Sequence, residues 1–169
     1  MWKVRLLERK LKNADEITKL SEELKRKKKR IAFTNGCFDI VHAGHVTYLE
    51  EASRLADVLI VGLNSDESVK RLKGETRPII PQQERAKLLC ALESVDYVVI
   101  FNEDTPERLI RAIKPHLLVK GADWKGKTVA GCDFVRSYGG ECLFVELVEG
   151  LSTSAIIERI IDVYCGSVK

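Results

Sequence analysis

The chain has 169 residues, with 28 Lys and Arg against 25 Asp and Glu, five Cys and 45% apolar residues. This length predicts one domain with a core of its own, and the apolar fraction excludes a fully disordered chain. No apolar run approaches the roughly 18 residues that a membrane span needs, and the charged N-terminus lacks the apolar segment of a secretory signal. We therefore expect a soluble, cytoplasmic protein with no membrane association.

The five cysteines are scattered along the chain, and no pair has the CxxC spacing of a zinc or redox site. A disulfide framework is not expected, because a chain of this size stabilises itself by burial. Most of the thiols should therefore fill the core in a reducing compartment. The residues concerned are Cys37, Cys90, Cys132, Cys142 and Cys165.

Residues 1–30 form a basic N-terminal extension, with twelve Lys and Arg against five Asp and Glu, whereas the remainder is mildly acidic. The extension contains a predicted helix that begins after a cap at Asn13 and ends at about Arg26. Glu16 occupies the capping-box position, three residues after the cap. An apolar stripe supports the helix, formed by Ile17, Leu20 and Leu24.

The basic run 25–30 follows directly on this helix. Its cations suit the negative end of the helix dipole, which makes a solvated last turn one interpretation. The other interpretation is a patch that binds phosphate-rich partners or anionic surfaces. The spacing alone leaves both open.

From residue 31 onward, short β-branched runs alternate with stretches of helical period. Near-continuous apolar strands separated by helices indicate a parallel sheet covered on both faces. We predict a Rossmann-like, doubly wound α/β domain over residues 31–169, with a five-stranded parallel sheet and a ligand crevice at the carboxyl ends of its strands. The predicted strands are 31–34, 58–63, 97–101, 117–119 and 143–148, and the predicted helices lie near 44–56, 66–72, 82–93, 106–113, 131–138 and 152–164.

The loop after the first of these strands holds two histidines, His42 and His45, at the start of a helix. At this spacing both imidazoles lie on one face of the first turn, where unpaired N–H groups favour anions. Gly44 between them allows close approach to the backbone. The pair could instead bind a metal, but that needs a third ligand and His116 is remote in sequence. A satisfied core histidine is a further alternative.

Two common nucleotide motifs are missing from the sequence: there is no GxGxxG and no GxxxxGK[ST]. A dinucleotide-dependent dehydrogenase and a P-loop NTPase are therefore both disfavoured.

The next strand exit and the loop that follows it carry further candidates. Residues 64–67 resemble a helix cap, although Asp66 could approach a metal or a ribose. Lys73 and Arg77 lie on a short loop punctuated by Gly and Pro, and their charges would suit a triphosphate. Ordinary surface cations are the alternative, and Arg85 on the following helix is a weaker candidate.

Two segments later in the chain supply the remaining candidate residues of the site. Lys120 and Asp123 flank Gly121 at another strand end, where a base or ribose could lie against the backbone. The last predicted helix opens with three consecutive hydroxyl residues, whereas a helix cap needs only one. A second phosphate cradle facing the first would explain the excess, and a cap with two solvated hydroxyls is the alternative. These hydroxyl residues are Ser152, Thr153 and Ser154.

The segment Asn35-Gly-Cys-Phe-Asp39, the HxGH motif at 42–45 and the late Ser-Thr-Ser helix start resemble the cytidylyltransferase-like nucleotidyltransferases. The resemblance runs from about residue 31 to residue 161. Within that family the chain is similar to the heptose 1-phosphate adenylyltransferase branch, through longer runs that read FTNGCFDIVHAGHVTYLEEA, GLNSDESVKRLKGETRPI, EDTPERLI and LLVKGADW.

The resemblance implies a reaction between ATP and D-glycero-β-D-manno-heptose 1-phosphate that yields ADP-heptose and pyrophosphate for lipopolysaccharide core biosynthesis. It also implies Mg²⁺, held mainly by the triphosphate, with no protein ligand assigned. His42 and His45 fall on the family's catalytic pair and Lys73 on its phosphate-binding lysine. Ser152, Thr153 and Ser154 fall on the motif that holds the β- and γ-phosphates, with Ser154 where Thr is more usual.

The resemblance, together with the positions of residues at strand ends and in the loops, gives two larger sets of candidates. Contacts with the nucleotide or its phosphates are implied for Thr34, Asn35, Gly36, Cys37, Phe38, Gly44, Lys120, Gly121 and Asp123. Candidates for contacting the second substrate are Asp39, Asp66, Arg77 and Arg85.

The physical demands of this reaction agree with the residues present. A sugar phosphate is already an anionic nucleophile, so positioning and cationic donors matter more than a strong base. About thirty residues are too few for a kinase domain, so we expect a stand-alone enzyme with a separate heptose kinase and phosphatase. The basic extension could dock such a partner or support a homodimer, and no nucleic-acid partner is expected.

Two other functions stay open at this stage. One is the same chemistry with other substrates, such as glycerol 3-phosphate and CTP. The other is a non-catalytic nucleotide binder, or a nucleic-acid binder that uses the basic run 25–30.

Overall fold

A parallel sheet of six strands organises the part of the chain that the computed structural model describes, which is residues 7, 9–148 and 150–166. The strands are β1 (Leu11–Lys12), β2 (Ile31–Gly36), β3 (Val58–Asn64), β4 (Tyr97–Phe101), β5 (Leu117–Gly121) and β6 (Glu141–Val145). The helices are α1 (Ala14–Arg26), α2 (Ala43–Arg54), α3 (Asp66–Lys73), α4 (Gln82–Ala91), α5 (Glu107–Ile113), α6 (Cys132–Ser137) and α7 (Thr153–Tyr164).

The order of the strands in the sheet is β1-β4-β3-β2-β5-β6, and every neighbouring pair is parallel. The chain builds outward from β2 in one direction through β3 and β4, and in the other through β5 and β6. The order therefore reverses between β2 and β5, where the register pairs Ala32 with Leu117. In doubly wound sheets ligands bind beyond the carboxyl ends of the strands at this switch point.

Two apolar cores lie on the two faces of the sheet, because successive side chains of a strand point to opposite sides. Ala32 of β2 packs with residues of α2 and α4, including Leu49 and Leu89. Phe33, the next residue, packs on the other face with α1, α5 and α6, including Ile110. β3 is buried along its whole length because helices cover both of its faces. The predicted Rossmann-like architecture with helices on both faces is confirmed.

The helix predicted in the basic extension is confirmed, including its start. Asn13 Oδ1 accepts the Glu16 N–H, and Glu16 accepts the Asn13 N–H in return. Ile17 is fully buried in the second core, and Leu20 and Leu24 pack against it. The predicted stripe therefore attaches the extension to the sheet.

The predicted number of strands is wrong, because the extension also supplies β1 at the edge of the sheet. Leu11 and Lys12 pair with Val98 and Val99 of β4. Two residues are too few to show the alternation by which strands are recognised in a sequence. Residues 1–6 and 8, which also belong to the predicted extension, lie outside the described residues.

Two further expectations need correction near the end of the sheet. The last strand was predicted at 143–148 but lies at Glu141–Val145, because it begins immediately after a turn at Gly139 and Gly140. Cys132 at the start of α6 and Cys142 on β6 form a disulfide, with Cα atoms 5.8 Å apart. Packing of α6 beside β6 brings these two residues within disulfide distance, which sequence spacing did not suggest.

The basic run 25–30 is largely paired within the protein. Lys25 donates to the carbonyl of Ile113, and Arg30 forms an ion pair with Glu141. Lys27 and Lys29 form ion pairs with Glu23 and Asp57. These contacts favour the interpretation of the run as a solvated helix end. No helix in the described ranges is long and apolar enough to cross a membrane.

Candidate active site

The loop between β2 and α2 turns sharply before it reaches the histidines. Phe38 has φ of 46° and Ile40 has φ of 51°, in the left-handed region that residues other than glycine rarely adopt. Phe38 is buried, and its ring centroid lies 5.3 Å from that of His45. After this turn the chain reaches His42, which is the N-cap of α2 and lies at the switch point of the sheet.

His42 and His45 stack on each other, with ring centroids 3.9 Å apart. The backbone N–H of His42 donates to Nδ1 of His45 at 3.4 Å. Since Nδ1 of His45 accepts this hydrogen bond, the neutral ring carries its proton on Nε2. The prediction that both imidazoles share one face of the first helical turn is confirmed.

Both imidazoles are neutral near pH 7. Burial lowers the pKa of His45 to about 4, and the neighbouring His42 contributes to the shift. Burial also lowers the pKa of His42. Nδ1 of His42 is buried and has no hydrogen-bond partner among the described residues. The pair therefore offers neutral ring N–H groups, and the N-terminal end of α2 supplies the positive electrostatic potential beside them.

Gly44 permits a close contact between the histidine pair and the segment before α7. A Cβ atom at this position would lie 3.0 Å from two atoms of the His42 ring and 3.2 Å from Cβ of Leu151. The two helix N-termini are therefore neighbours, as the interpretation of a second phosphate cradle requires. The three hydroxyl residues at the start of α7 lie beside the N-terminus of α2.

The three hydroxyls have different roles. Ser152 is the N-cap of α7 and accepts the Ala155 N–H at 3.1 Å. Thr153 Oγ1 donates to the carbonyl oxygen of Asp39 at 2.6 Å. Ser154 is exposed. One hydroxyl thus caps the helix, one connects the helix to the β2–α2 loop, and one stays accessible to a ligand.

Lys120 on β5 reaches across the switch point to β2. Its Nζ donates to Oδ1 of Asn35 and lies 5.3 Å from the centroid of the Trp124 ring. Lys120 is only 8% exposed. Burial lowers its pKa to about 8, and the Asp123 carboxylate opposes the shift. A buried ammonium with one side-chain acceptor among the described residues is suited to an anionic or polar ligand.

Asp123 lies close against Gly121, in the space where the sequence suggested that a base or ribose could lie. A Cβ atom at Gly121 would lie 2.5 Å from Oδ1 of Asp123, so only glycine leaves room for the carboxylate. Lys73 is exposed at the end of α3. Burial raises the pKa of the Cys37 thiol, and the positive charge of Lys73 opposes that shift.

Not every predicted nucleotide-binding residue presents its side chain to the crevice. Thr34 is fully buried, and its hydroxyl lies 2.7 Å from the hydroxyl of Tyr48. Tyr48 also donates to the carbonyl of Val119 at 3.1 Å, which joins β2 to β5 beneath the site. Gly36 ends β2, and the half-buried Cys37 follows it.

Four candidates for contacting the second substrate, Asp39, Asp66, Arg77 and Arg85, are held in one network of hydrogen bonds and ion pairs. The Asp39 carboxylate accepts hydrogen bonds from Arg77 and from the amides of Ile79 and Ile80. The side chain of Arg85 has no exposed surface, and its Nη2 donates to Oδ1 of Asp66 at 2.7 Å. Arg85 also donates to the carbonyls of Cys37, Asn64 and Ile80.

Sequence reasoning missed Tyr48 and Trp124 as residues that shape the site. Tyr48 follows His45 by three residues, so it continues the face of α2 that points toward the sheet. This spacing was the feature of the sequence from which the position of Tyr48 beside the site could have been predicted. Trp124 lies beside both Lys120 and Lys127 at the end of a single 3₁₀ turn, Ala122–Trp124, which is too short for a periodic pattern to mark it.

A crevice of this kind suits nucleotides and other phosphate-bearing ligands, as does the N-terminal end of α2. The model of the cytidylyltransferase-like family matches residues 33–159, which is most of the chain. The chain therefore belongs to the cytidylyltransferase-like family of nucleotidyltransferases.

Two individual relatives within this family are similar to the chain over most of its length. The bifunctional protein HldE of Pelobacter propionicus is 56% identical over 155 residues, which is 92% of this chain and 32% of that protein. The protein of the same name from Nitratiruptor sp. is 58% identical over 149 residues, covering 88% of this chain and 31% of that protein. The chain thus spans about a third of the length of these relatives.

Solved structures agree with the fold. A lipopolysaccharide core biosynthesis protein from Thermoplasma volcanium superposes with a TM-score of 0.59 at 28% identity, covering 71% of this chain and 97% of that one. Pantoate-β-alanine ligase from Francisella tularensis superposes with a TM-score of 0.63 at 16% identity, covering 89% of this chain and 72% of that one. The second likeness concerns the fold alone.

Proposed function

We propose that the chain joins ATP to D-glycero-β-D-manno-heptose 1-phosphate, producing ADP-heptose and pyrophosphate for lipopolysaccharide core biosynthesis. The observation that carries the chemistry is the stacked, neutral pair of His42 and His45 beside the N-terminus of α7. The substrate assignment is supported by the HldE relatives and by the lipopolysaccharide core biosynthesis protein of Thermoplasma volcanium.

The reaction needs a site that binds two negatively charged substrates and stabilises a negatively charged leaving group. An oxygen of the sugar phosphate attacks the α-phosphorus of ATP, and the bond from that phosphorus to the bridging oxygen breaks as pyrophosphate leaves. Because the nucleophile is already an anion, no side chain has to remove a proton from it. The protein must hold two anionic substrates together and stabilise the charge that develops on the leaving pyrophosphate.

The residues of the crevice divide these tasks. Nε2–H of His45 and the ring of His42 donate hydrogen bonds to the triphosphate as charge develops. Lys73 supplies a positive charge from the end of α3, and the exposed Ser154 adds a hydroxyl at the start of α7. Lys120 provides a cation on the crevice floor, close to where a nucleotide crosses the switch point.

Mg²⁺ fits this site as a companion of the triphosphate. The described residues contain no group of three or more His, Cys, Asp and Glu that could hold a metal ion. Mg²⁺ commonly keeps several waters and binds through substrate phosphates with one or two carboxylates. Asp66, with a side chain 33% exposed, is the carboxylate that could approach it. The ion would neutralise phosphate charge, while the protein residues orient the two substrates.

The setting of the reaction is part of the proposal. The substrates are those of a cytoplasmic enzyme, and the sugar 1-phosphate must come from kinase and phosphatase activities. We propose that the protein can form a homodimer. Light scattering, which measures the mass of the protein in solution, tests this.

Pyrophosphate release in the presence of Mg²⁺ tests the function directly. The full chain would be given ATP or CTP, each combined with heptose 1-phosphate or with glycerol 3-phosphate. We expect release with ATP and heptose 1-phosphate only. Release with CTP and glycerol 3-phosphate would keep the chemistry and overturn the substrates. Folded protein that binds ATP and releases no pyrophosphate with any pair would point to a non-catalytic nucleotide binder.

A further inference from the structure

Asp39 holds the segments around the histidine pair with both its side chain and its backbone. Oδ2 accepts hydrogen bonds from Nε of Arg77 at 2.6 Å and from the Ile79 N–H at 2.8 Å. Oδ1 accepts the Ile80 N–H at 2.9 Å. The carbonyl oxygen accepts the hydroxyl of Thr153 at 2.6 Å. One residue thus joins the β2–α2 loop to the 77–80 segment and to the start of α7.

The surroundings of this carboxylate leave no room for a ligand. Its side chain has no exposed surface, while that of Arg77 is 16% exposed. Burial acts to raise the pKa of Asp39, but the amides of Ile79 and Ile80 together with Arg77 outweigh it and lower the pKa. The carboxylate is therefore ionised and satisfied by the protein itself. A substrate or metal ion would have to displace these partners to reach it.

The backbone around Asp39 needs such support. Phe38 before it and Ile40 after it both have positive φ, and the β-branched Ile40 is a marked outlier in that region. Residues in such conformations persist where the surrounding contacts determine them. This strained turn leads directly to His42, so contacts that fix the turn also fix the direction of the imidazole pair.

Building on the proposed function, we propose that Asp39 is a positioning residue and that it contacts neither substrate nor Mg²⁺. Its carboxylate holds the 77–80 segment beside the crevice, and its carbonyl holds Thr153 at the start of α7. Three phosphate-facing parts of the crevice, at α2, at α7 and at the end of the loop after Lys73, are thereby fixed to one strained turn.

The variant Asp39→Asn tests the proposal because it keeps the size of the side chain and removes its charge. We expect the amide hydrogens of Ile79 and Ile80 to exchange with solvent about tenfold faster in the full chain without substrates. Because this measurement needs no reaction, it stays valid if the proposed function fails. We also expect kcat/KM for ATP to fall about tenfold, mainly through KM, because a displaced segment weakens substrate binding.

The dependence on Mg²⁺ distinguishes positioning from metal binding. We expect Asp39→Asn to need the same Mg²⁺ concentration for half-maximal activity as the wild type. A tenfold higher requirement would make Asp39 a metal ligand and overturn the proposal, as would wild-type exchange at both amides. Faster exchange with wild-type kcat/KM would overturn its functional part. If no substrate pair reacts, the affinity for Mg²⁺-ATP measured by calorimetry replaces kcat/KM, with the same expected weakening.

Two further variants complete the experiment. Asp57→Asn is the matched control, because Asp57 also accepts a backbone N–H, from Arg30 at 2.7 Å, but precedes β3 at the opposite end of the sheet. It should leave activity and exchange at Ile79 and Ile80 unchanged. If Asp39→Asn does not fold, Arg77→Gln removes one partner of the carboxylate and leaves both amide bonds. We expect it to speed exchange at Ile79 about threefold, and wild-type exchange there would overturn the proposal.

Discussion

Lys120 donates a hydrogen bond to Asn35 across the point where the strand order reverses. The two side chains come from β5 and β2, the strands that flank the crevice, so the pair forms part of its floor. Oδ1 of Asn35 accepts one of the ammonium N–H groups, and the centroid of the Trp124 ring lies 5.3 Å from Nζ. The cation is thereby held in place before any ligand arrives.

Replacing Lys120 should weaken nucleotide binding and alter its pH dependence. Because burial lowers the pKa of Lys120 to about 8, the ammonium loses its charge as pH rises through that value. We expect ATP affinity of the wild type to fall above about pH 8, whereas Lys120→Met should bind roughly tenfold more weakly below that pH and show no such fall. Calorimetric titration with ATP at several pH values measures both effects.

The control for this prediction is Lys127→Met. Lys127 also lies over the Trp124 ring, at 5.8 Å, but it is exposed. Its loss should leave ATP affinity close to that of the wild type. Equal weakening by both variants would mean that general positive charge, and no particular buried ammonium, attracts the nucleotide.

Removing the His45 side chain should abolish most of the catalysis. We expect His45→Ala to lower kcat by roughly 100-fold, the scale on which a preorganised donor stabilises a transition state. The readout is pyrophosphate release at saturating substrates. His116→Asn is the control, because His116 accepts the Ile31 N–H at the amino end of the sheet, away from the crevice. A folded His45→Ala protein with near-normal kcat would remove His45 from the catalytic role.

The same histidine should make the fold sensitive to acid. Burial lowers the pKa of His45 to about 4 from an unfolded value of about 6.5. Between these values the unfolded chain binds the proton and the folded chain does not, so stability is lost as pH falls through this range. We expect the melting temperature to decrease from about pH 7 to pH 4, and His45→Gln to show a shallower decrease. Identical slopes would mean that other groups control the acid sensitivity.

A methyl group at Gly44 should disturb the site without unfolding the protein. It would press on the His42 ring and on Leu151, so either the imidazole or the start of α7 must move. We expect Gly44→Ala to lower kcat/KM by about tenfold or more, because small displacements of catalytic groups are costly. The melting temperature should change little. The exposed neighbour offers a control, Ala43→Ser, which should retain wild-type kinetics.

The sequence predicted the parts of the molecule whose causes are local. The capping box of α1 depends on Asn13 and Glu16, three residues apart, and it is present as predicted. The stacked histidines likewise follow from their spacing on one helical turn. Apolar runs identified the central strands because burial on both faces requires them.

The parts that sequence reasoning missed depend on contacts between distant segments. Thr34 looked like a nucleotide-binding residue, but its hydroxyl is taken by Tyr48 in the interior. Arg85 looked like a cation for the substrate, yet its guanidinium lies wholly inside, bound to Asp66 and to three carbonyl groups. The sequence contains the charge of such a side chain but not the loops that fold over it.

The pairing of β1 with β4 sets where the chain can be shortened. A fragment beginning at Ile31 would keep every crevice residue, but it would leave the backbone of Val98 and Val99 as an open sheet edge. It would also expose the apolar surface that Ile17 covers. Open edges of this kind recruit strands from other molecules. β1 and α1 therefore protect the sheet edge and the apolar surface from contact with other molecules. A shortened chain intended for expression should begin before Leu11.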